Sequence, residues 1–320
     1  MTSANPAAAG ESLLPQFAIV VAALLWGLWW IPVRGLEAGG LRGDWVSVAL
    51  YGVGALGLLP FLVAFWLKDR NSFWNGAGSA ALAGLFCGIA LAFWNHALLV
   101  GEVVRVTLLF YTAPIWSTLL AALFLGEPLT LRRLVTITLG LSGAAVVLGF
   151  TPEAGLSGLP LPQGEADWMA IGAGLTFAIS TTIIRKSGAG NSGPQSFASL
   201  VGGALIALAL AVFDPVGGGA SAAPEIGLEI LPLAAAVGLF WLLPGLWLIL
   251  WGAGRIDPGR VAILLLLEVV AAAVSAAVLT AEPFGGREVL GCLLILAAGV
   301  VEATAGRPFL PGVLLRRRGG

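Results

Sequence analysis

Stretches of about twenty consecutive apolar residues recur along this chain, separated by short polar interruptions, and the recurrence fixes the solvent before the fold. Residues 261–280, VAILLLLEVVAAAVSAAVLT, show it in concentrated form, with Glu268 as the one charge in the run. As helix, such a run crosses a hydrocarbon core of about 30 Å. Composition agrees: 10% of residues are charged and mean hydropathy is +0.97, whereas soluble domains carry about 25% charged residues. The chain reads as an all-α integral membrane protein, embedded in a lipid bilayer and with no basic face for nucleic acid.

Hydropathy predicts ten spans, at 16–36, 45–67, 77–99, 103–125, 133–150, 167–186, 195–213, 228–250, 258–280 and 288–305. The N-terminal segment has no positive n-region, so no cleaved signal is expected and the first run stays in the membrane. Ten spans put both termini on one side. Of the 16 Lys and Arg residues, only Arg34, Arg42, Arg105 and Arg287 fall on the other side, so both termini are expected in the cytoplasm. The Gly/Pro-rich loops 151–167 and 214–227 contain acids but no Lys or Arg, as outward loops should. Cys87 and Cys292 lie within apolar runs and read as buried thiols.

The halves repeat each other. GEVVRVTLLFYTAPIWSTLLAALFLGEPLTLRR (101–133) aligns with IDPGRVAILLLLEVVAAAVSAAVLTAEPFGGRE (256–288) at an offset of 155. Arg105 then meets Arg260, Glu127–Pro128 meet Glu282–Pro283, and Arg132 meets Arg287. Five spans is an odd number, so the second copy enters the membrane inverted. The expected organisation is a tail (1–15), a first five-helix repeat (16–150), an outer loop (151–166), a second, inverted repeat (167–305) and a basic tail (306–320). Inverted repeats of this kind point to a site near the bilayer midplane, between the copies.

At LLWGLWW (24–30), YTAPIWSTLLAALFLGEPL (111–129) and LEVVAAAVSAAVLTAEP (267–283), the chain resembles the drug/metabolite transporter superfamily, in particular its EamA-type ten-span members. LVTITLGLSGAAVVLG (134–149) and VLGCLLILAAGVV (289–301) resemble the small-residue helices that close each repeat. The resemblance implies an inner (plasma) membrane carrier of small metabolites, often an exporter, with some members handling aromatic or other amino acids. It also implies a cavity lined by spans one, three, four, six, eight and nine. The sequence departs from the family where a proline often follows the span-nine glutamate, because Val269 stands there.

A charge at a helix centre costs on the order of 3 kcal/mol on insertion scales, so Glu268 is expected to face a cavity or a partner. It is a candidate for proton coupling; the alternative role is a carboxyl that hydrogen-bonds a neighbouring helix and holds the bundle together. His96, the only histidine, stands in AFWNHALLVGE beside Trp94 and Asn95, which offer a stacking face and an amide. Arg105 either holds a substrate carboxylate or reaches an interface. Trp26, Trp30 and Trp116 fall in mid-span, away from the interfacial belts that explain most membrane tryptophans, and mark either an aromatic cavity or packing. Pro32, Pro114 and Pro244 interrupt spans one, four and eight, and a freed carbonyl in lipid needs protein or water beside it. Pro114 with Tyr111 and Thr112 is a candidate to shape the central site. Gly84 and Gly88 permit close helix approach.

Phosphate-loop, HExxH and GxSxG patterns are missing, so a Walker-type ATPase is not expected and hydrolytic or metal chemistry has few candidates. No cofactor or metal is expected. Three readings follow: a secondary carrier with a small-molecule substrate, a flippase of a lipid-linked substrate, or an intramembrane enzyme using Glu268 and His96. The chain is read as a monomer or a homodimer.

Overall fold

The computed structural model describes residues 13–304 apart from 42, 102, 150–161, 189–190, 214–227 and 281–283. The second acidic loop, most of the first, the Glu282–Pro283 pair and the basic tail lie outside these residues. Every described element is helical. The helices are α1 (Leu14–Gly27), α2 (Trp30–Ala38), α3 (Asp44–Lys68), α4 (Arg70–Val100), α5 (Val103–Phe110), α6 (Ala113–Leu125) and α7 (Leu131–Val147). They continue as α8 (Glu165–Ser187), α9 (Ser192–Phe213), α10 (Leu231–Val237), α11 (Leu243–Ala253), α12 (Pro258–Leu265), α13 (Leu267–Leu279) and α14 (Gly286–Ala303).

Proline accounts for three of the interruptions. Pro32 lies just inside α2, Pro114 is the second residue of α6, and Pro244 is the second of α11, after a π-helical turn at Gly238–Leu242. Each lacks an amide hydrogen, so the preceding turn loses its regular ladder. Polar side chains open helices at the water boundary. Asp69 accepts from Ser72 N (2.9 Å), Thr130 from Arg133 N (3.2 Å) and Asp257 from Arg260 N (3.0 Å), satisfying amides that a helix start leaves unpaired.

Eight helical stretches, with α1–α2, α5–α6, α10–α11 and α12–α13 each taken as one, are long and apolar enough to cross a membrane. Two of the expected ten, α7 and α14, differ. α7 has 17 residues, and α14 carries Arg287, Glu288 and Glu302 within 18. α4 starts at Arg70, seven residues ahead of the expected span.

The exposed surface is apolar, with Leu123 and Phe240 three-quarters exposed or more, whereas Ser180, Thr181, Ser196 and Ser199 are fully buried. That is the reverse of a water-soluble protein and fits lipid as solvent, where small and polar residues glue helices. Ser180 Oγ donates to Ala83 O across α8 and α4 at 2.8 Å. A Cβ on Gly88 would stand 2.6 Å from Gly203 N and 2.8 Å from Ser199 O, so glycine is what lets α4 lie against α9. α4 packs on α8 and α9, α1 on α11, α12 and α13, α6 on α8 and α12, and α7 on α14.

Candidate functional site

Two broken helices cross near the middle of the bundle. α5 stops at Phe110 and α6 resumes at Ala113; α12 stops at Leu265 and α13 resumes at Leu267, in keeping with the 155-residue register of the sequence. Pro114 explains the first break. The second forms with Val269 in the place of a proline. There Leu266 N donates to Ile263 O (3.2 Å) and Val269 N to Leu266 O (3.1 Å), a turn tightened to three-residue spacing. Leu266 is buried against Tyr111, Val269 and Ile295, so packing holds the bend.

Glu268 is therefore the second residue of a half-helix, although it sits mid-run in sequence. Its carboxylate lies in the first turn of α13, where the helix dipole favours negative charge. Oε1 accepts from the Tyr111 hydroxyl at 2.8 Å, joining the two breaks across the halves of the chain. α1 comes close enough to support this contact because residue 27 is glycine, where a Cβ would stand 2.5 Å from Ala271 Cβ and 3.0 Å from Ala272 N.

Two cavities meet at this point. A vestibule with about 2080 Å³ of empty space, its mouth included, is lined by Trp29, Trp30, Tyr51, Asn95 and Thr107, with Arg34, Glu37, Arg287 and Glu288 among its charged lining residues. An inner pocket lies beyond it, with about 700 Å³ of empty space, its opening included, and with Cys87, Phe110, Pro114 and Phe177 in its wall. Trp26, Trp94, Tyr111 and Glu268 line both. Trp94 stacks on Phe110 with ring centroids 4.2 Å apart, and Phe110 lies 5.7 Å from Tyr111.

Of the residues selected from sequence, Trp26, Trp30, Trp94, Asn95, Tyr111, Pro114 and Glu268 are brought to these cavities. Trp30 Nε1 also donates to Ser275 Oγ at 3.0 Å, and Asn95 Nδ2 donates to Tyr51 Oη and to Leu91 O (2.9 Å). His96, Arg105 and Trp116 are outside both linings. His96 Nδ1 lies 2.8 Å from Asp44 Oδ2, Arg105 Nε lies 2.9 Å from Asp167 Oδ2, and Trp116 Nε1 donates to Thr112 Oγ1 at 3.1 Å. His96 and Glu268 thus meet different partners, Asp44 and Tyr111. Phe110, Phe177 and Tyr51 carried no signal beyond being aromatic in an apolar run.

The end of the bundle away from the vestibule is tied by charge. Arg133 Nη1 lies 2.5 Å from Asp257 Oδ1 and Nη2 3.3 Å from Glu302 Oε1; Arg260 Nε is 3.7 Å from the same Glu302 oxygen. Thr136 Oγ1 donates to Glu302 Oε2 at 3.0 Å. With its amide oriented by these neighbours, Gln16 donates to Ala303 O (3.1 Å) and accepts from Arg260 Nη1 (3.3 Å). α1, α7, α12 and α14 meet in this network. Among the described residues no cluster of acids, histidines and cysteines is arranged to hold a metal.

The helical fold, its lipid-type surface and a cavity between two broken helices define a multi-pass membrane protein with a central cavity. Two segments, 13–149 and 165–301, each match the model of the EamA-like transporter family. The chain belongs to that family and is a membrane transporter. No curated protein matches it by sequence. Among solved structures 29 chains match. One, titled only "Crystal structure of protein", has a TM-score of 0.68 at 21% identity, covering 90% of this chain and 96% of that one. A likeness at that identity speaks to the fold alone.

Proposed function

We propose that this transporter is an alternating-access carrier for a small metabolite, an amino acid or aromatic compound, built from ten helices in two inverted five-helix repeats. The observation that carries the reading is the Tyr111–Glu268 contact. A carboxylate from one repeat and a hydroxyl from the other meet where two helices break, on the boundary between two cavities. Discontinuous helices in matching positions of two repeats are a recurring way to build a transport site.

Helix pairing supports the two-fold arrangement. Exchanging each helix for its counterpart in the other half turns α4 on α8 into α11 on α1, and α6 on α8 into α13 on α1, and both members of each pair occur. The vestibule on one side and the charge network on the other suit a carrier open to one face only. Cytoplasmic termini rest on the Lys/Arg distribution, and placement in the inner membrane and export rest on family resemblance. Glu268 is the group through which protons are coupled. In proteoliposomes, Glu268→Gln should abolish substrate flux or its pH dependence; flux unchanged at every pH removes Glu268 from the mechanism.

A further inference from the structure

The wall of the inner pocket is electrically one-sided. Among the described residues, Glu268 is its single charged one, and no Lys, Arg or His lines it. Tyr111 occupies Oε1, and a carboxylate has acceptor capacity for several donors. The remainder of the wall is aromatic and aliphatic, with Trp26, Trp94, Phe110, Tyr111 and Phe177 contributing rings. The approach adds no positive excess, because Arg34 and Arg287 are matched by Glu37 and Glu288 in the vestibule.

These facts sort ligands by charge. An anion would meet the Glu268 carboxylate with no cation beside it, at a cost raised by the apolar surroundings. A neutral molecule leaves the free acceptor capacity of Glu268 unused. A cation meets both the carboxylate and the ring faces, which attract positive charge within about 6 Å of their centroids. A zwitterion satisfies Glu268 but brings a second carboxylate. Among the described residues of the pocket wall, the buried donor without an acceptor is the Trp26 indole N–H. One neutral donor compensates a desolvated carboxylate poorly.

We infer that the inner pocket takes a small organic monocation, a protonated amine on an apolar or aromatic body, with Glu268 as counter-charge and Trp26, Trp94 and Phe110 as the surrounding rings. This rests on the carrier reading above and narrows its substrate class.

The test is calorimetric titration of the purified full chain with four probes of one shape: phenethylamine, 2-phenylethanol, 3-phenylpropanoate and phenylalanine. Phenethylamine should bind about tenfold or more tightly than 2-phenylethanol, a difference worth about 1.4 kcal/mol. Phenylalanine should bind more weakly than the amine, and 3-phenylpropanoate should give no heat. Glu268→Gln should erase the amine's advantage and leave the alcohol unchanged, which also reports an intact pocket. Trp94→Leu, with the carboxylate untouched, should weaken the amine about fivefold more than the alcohol. Equal or tighter binding of the anion or the zwitterion, or amine affinity unmoved in Glu268→Gln, overturns the inference. Binding is read without transport, so the two readings fail separately. A carrier that moves other solutes and ignores the amine sinks this inference alone, whereas amine binding without any solute flux sinks the carrier reading alone.

Discussion

The two ends of the bundle use matching arginines to different effect. At the vestibule end Arg105 ties α5 to the start of α8 through Asp167; at the other end its repeat partner Arg260 reaches Gln16 at the start of α1. From there the ends diverge. Arg260 also meets Glu302, which in turn holds Arg133 and Thr136. At the 155-residue register the place of Glu302 is taken by Val147, a vestibule-lining residue. One copy of the repeat has a buried carboxylate that gathers two arginines; the other has a methyl-bearing side chain beside open space. The other members of the network change as well, Arg133 standing against Glu288 and Thr136 against Gly291, so a duplicated unit latches one end with side chains that its other copy lacks.

The largest effect should come from removing the gathering carboxylate. Glu302 is 1% exposed, and breaking a buried pair from one side costs about 3–5 kcal/mol because the partner charge is left uncompensated. Glu302→Ala should therefore lower the thermal midpoint in detergent more than any vestibule-end substitution, and should raise labelling of Cys87, in the inner-pocket wall, by a small maleimide. An unchanged midpoint would mean that the two ends are equally weak. Asp167→Asn should cost less, about 1–3 kcal/mol, since it keeps a hydrogen-bond acceptor for Arg105, which is one-fifth exposed. Arg287→Ala should change stability by less than about 0.5 kcal/mol, because its pair with Glu288 stands half in solvent. A reversed order of these three midpoints would break the comparison.

Much of this was legible in the sequence, for identifiable reasons. Glu268 announced itself because one charge in a twenty-residue apolar run is costly unless it meets a cavity or a partner, and Pro114 and Pro244 marked breaks because a missing amide acts locally. The repeat was visible through Arg105 and Arg260. The bend at Leu266 was not, since it is imposed by packing against Tyr111 and Ile295 with no proline to signal it. The partners of the arginines were equally silent. Asp257 and Glu302 lie 124 and 169 residues from Arg133, and an acid near a span end looks the same whether it faces water or a buried cation. Phe110 and Phe177 escaped because an aromatic ring in an apolar run is indistinguishable from its neighbours until the helices are assembled.

The joint at Leu266 also has the geometry of a lever. The 13 residues of α13 beyond it extend about 20 Å at 1.5 Å per residue, so a tilt of roughly 15° at the joint swings the far tip by about 5 Å, one helical pitch. Thr280, at that tip, is part of the vestibule lining, while Glu268 sits next to the pivot and scarcely travels. A tilt at this joint would therefore change the width of the entrance while leaving the carboxylate nearly in place.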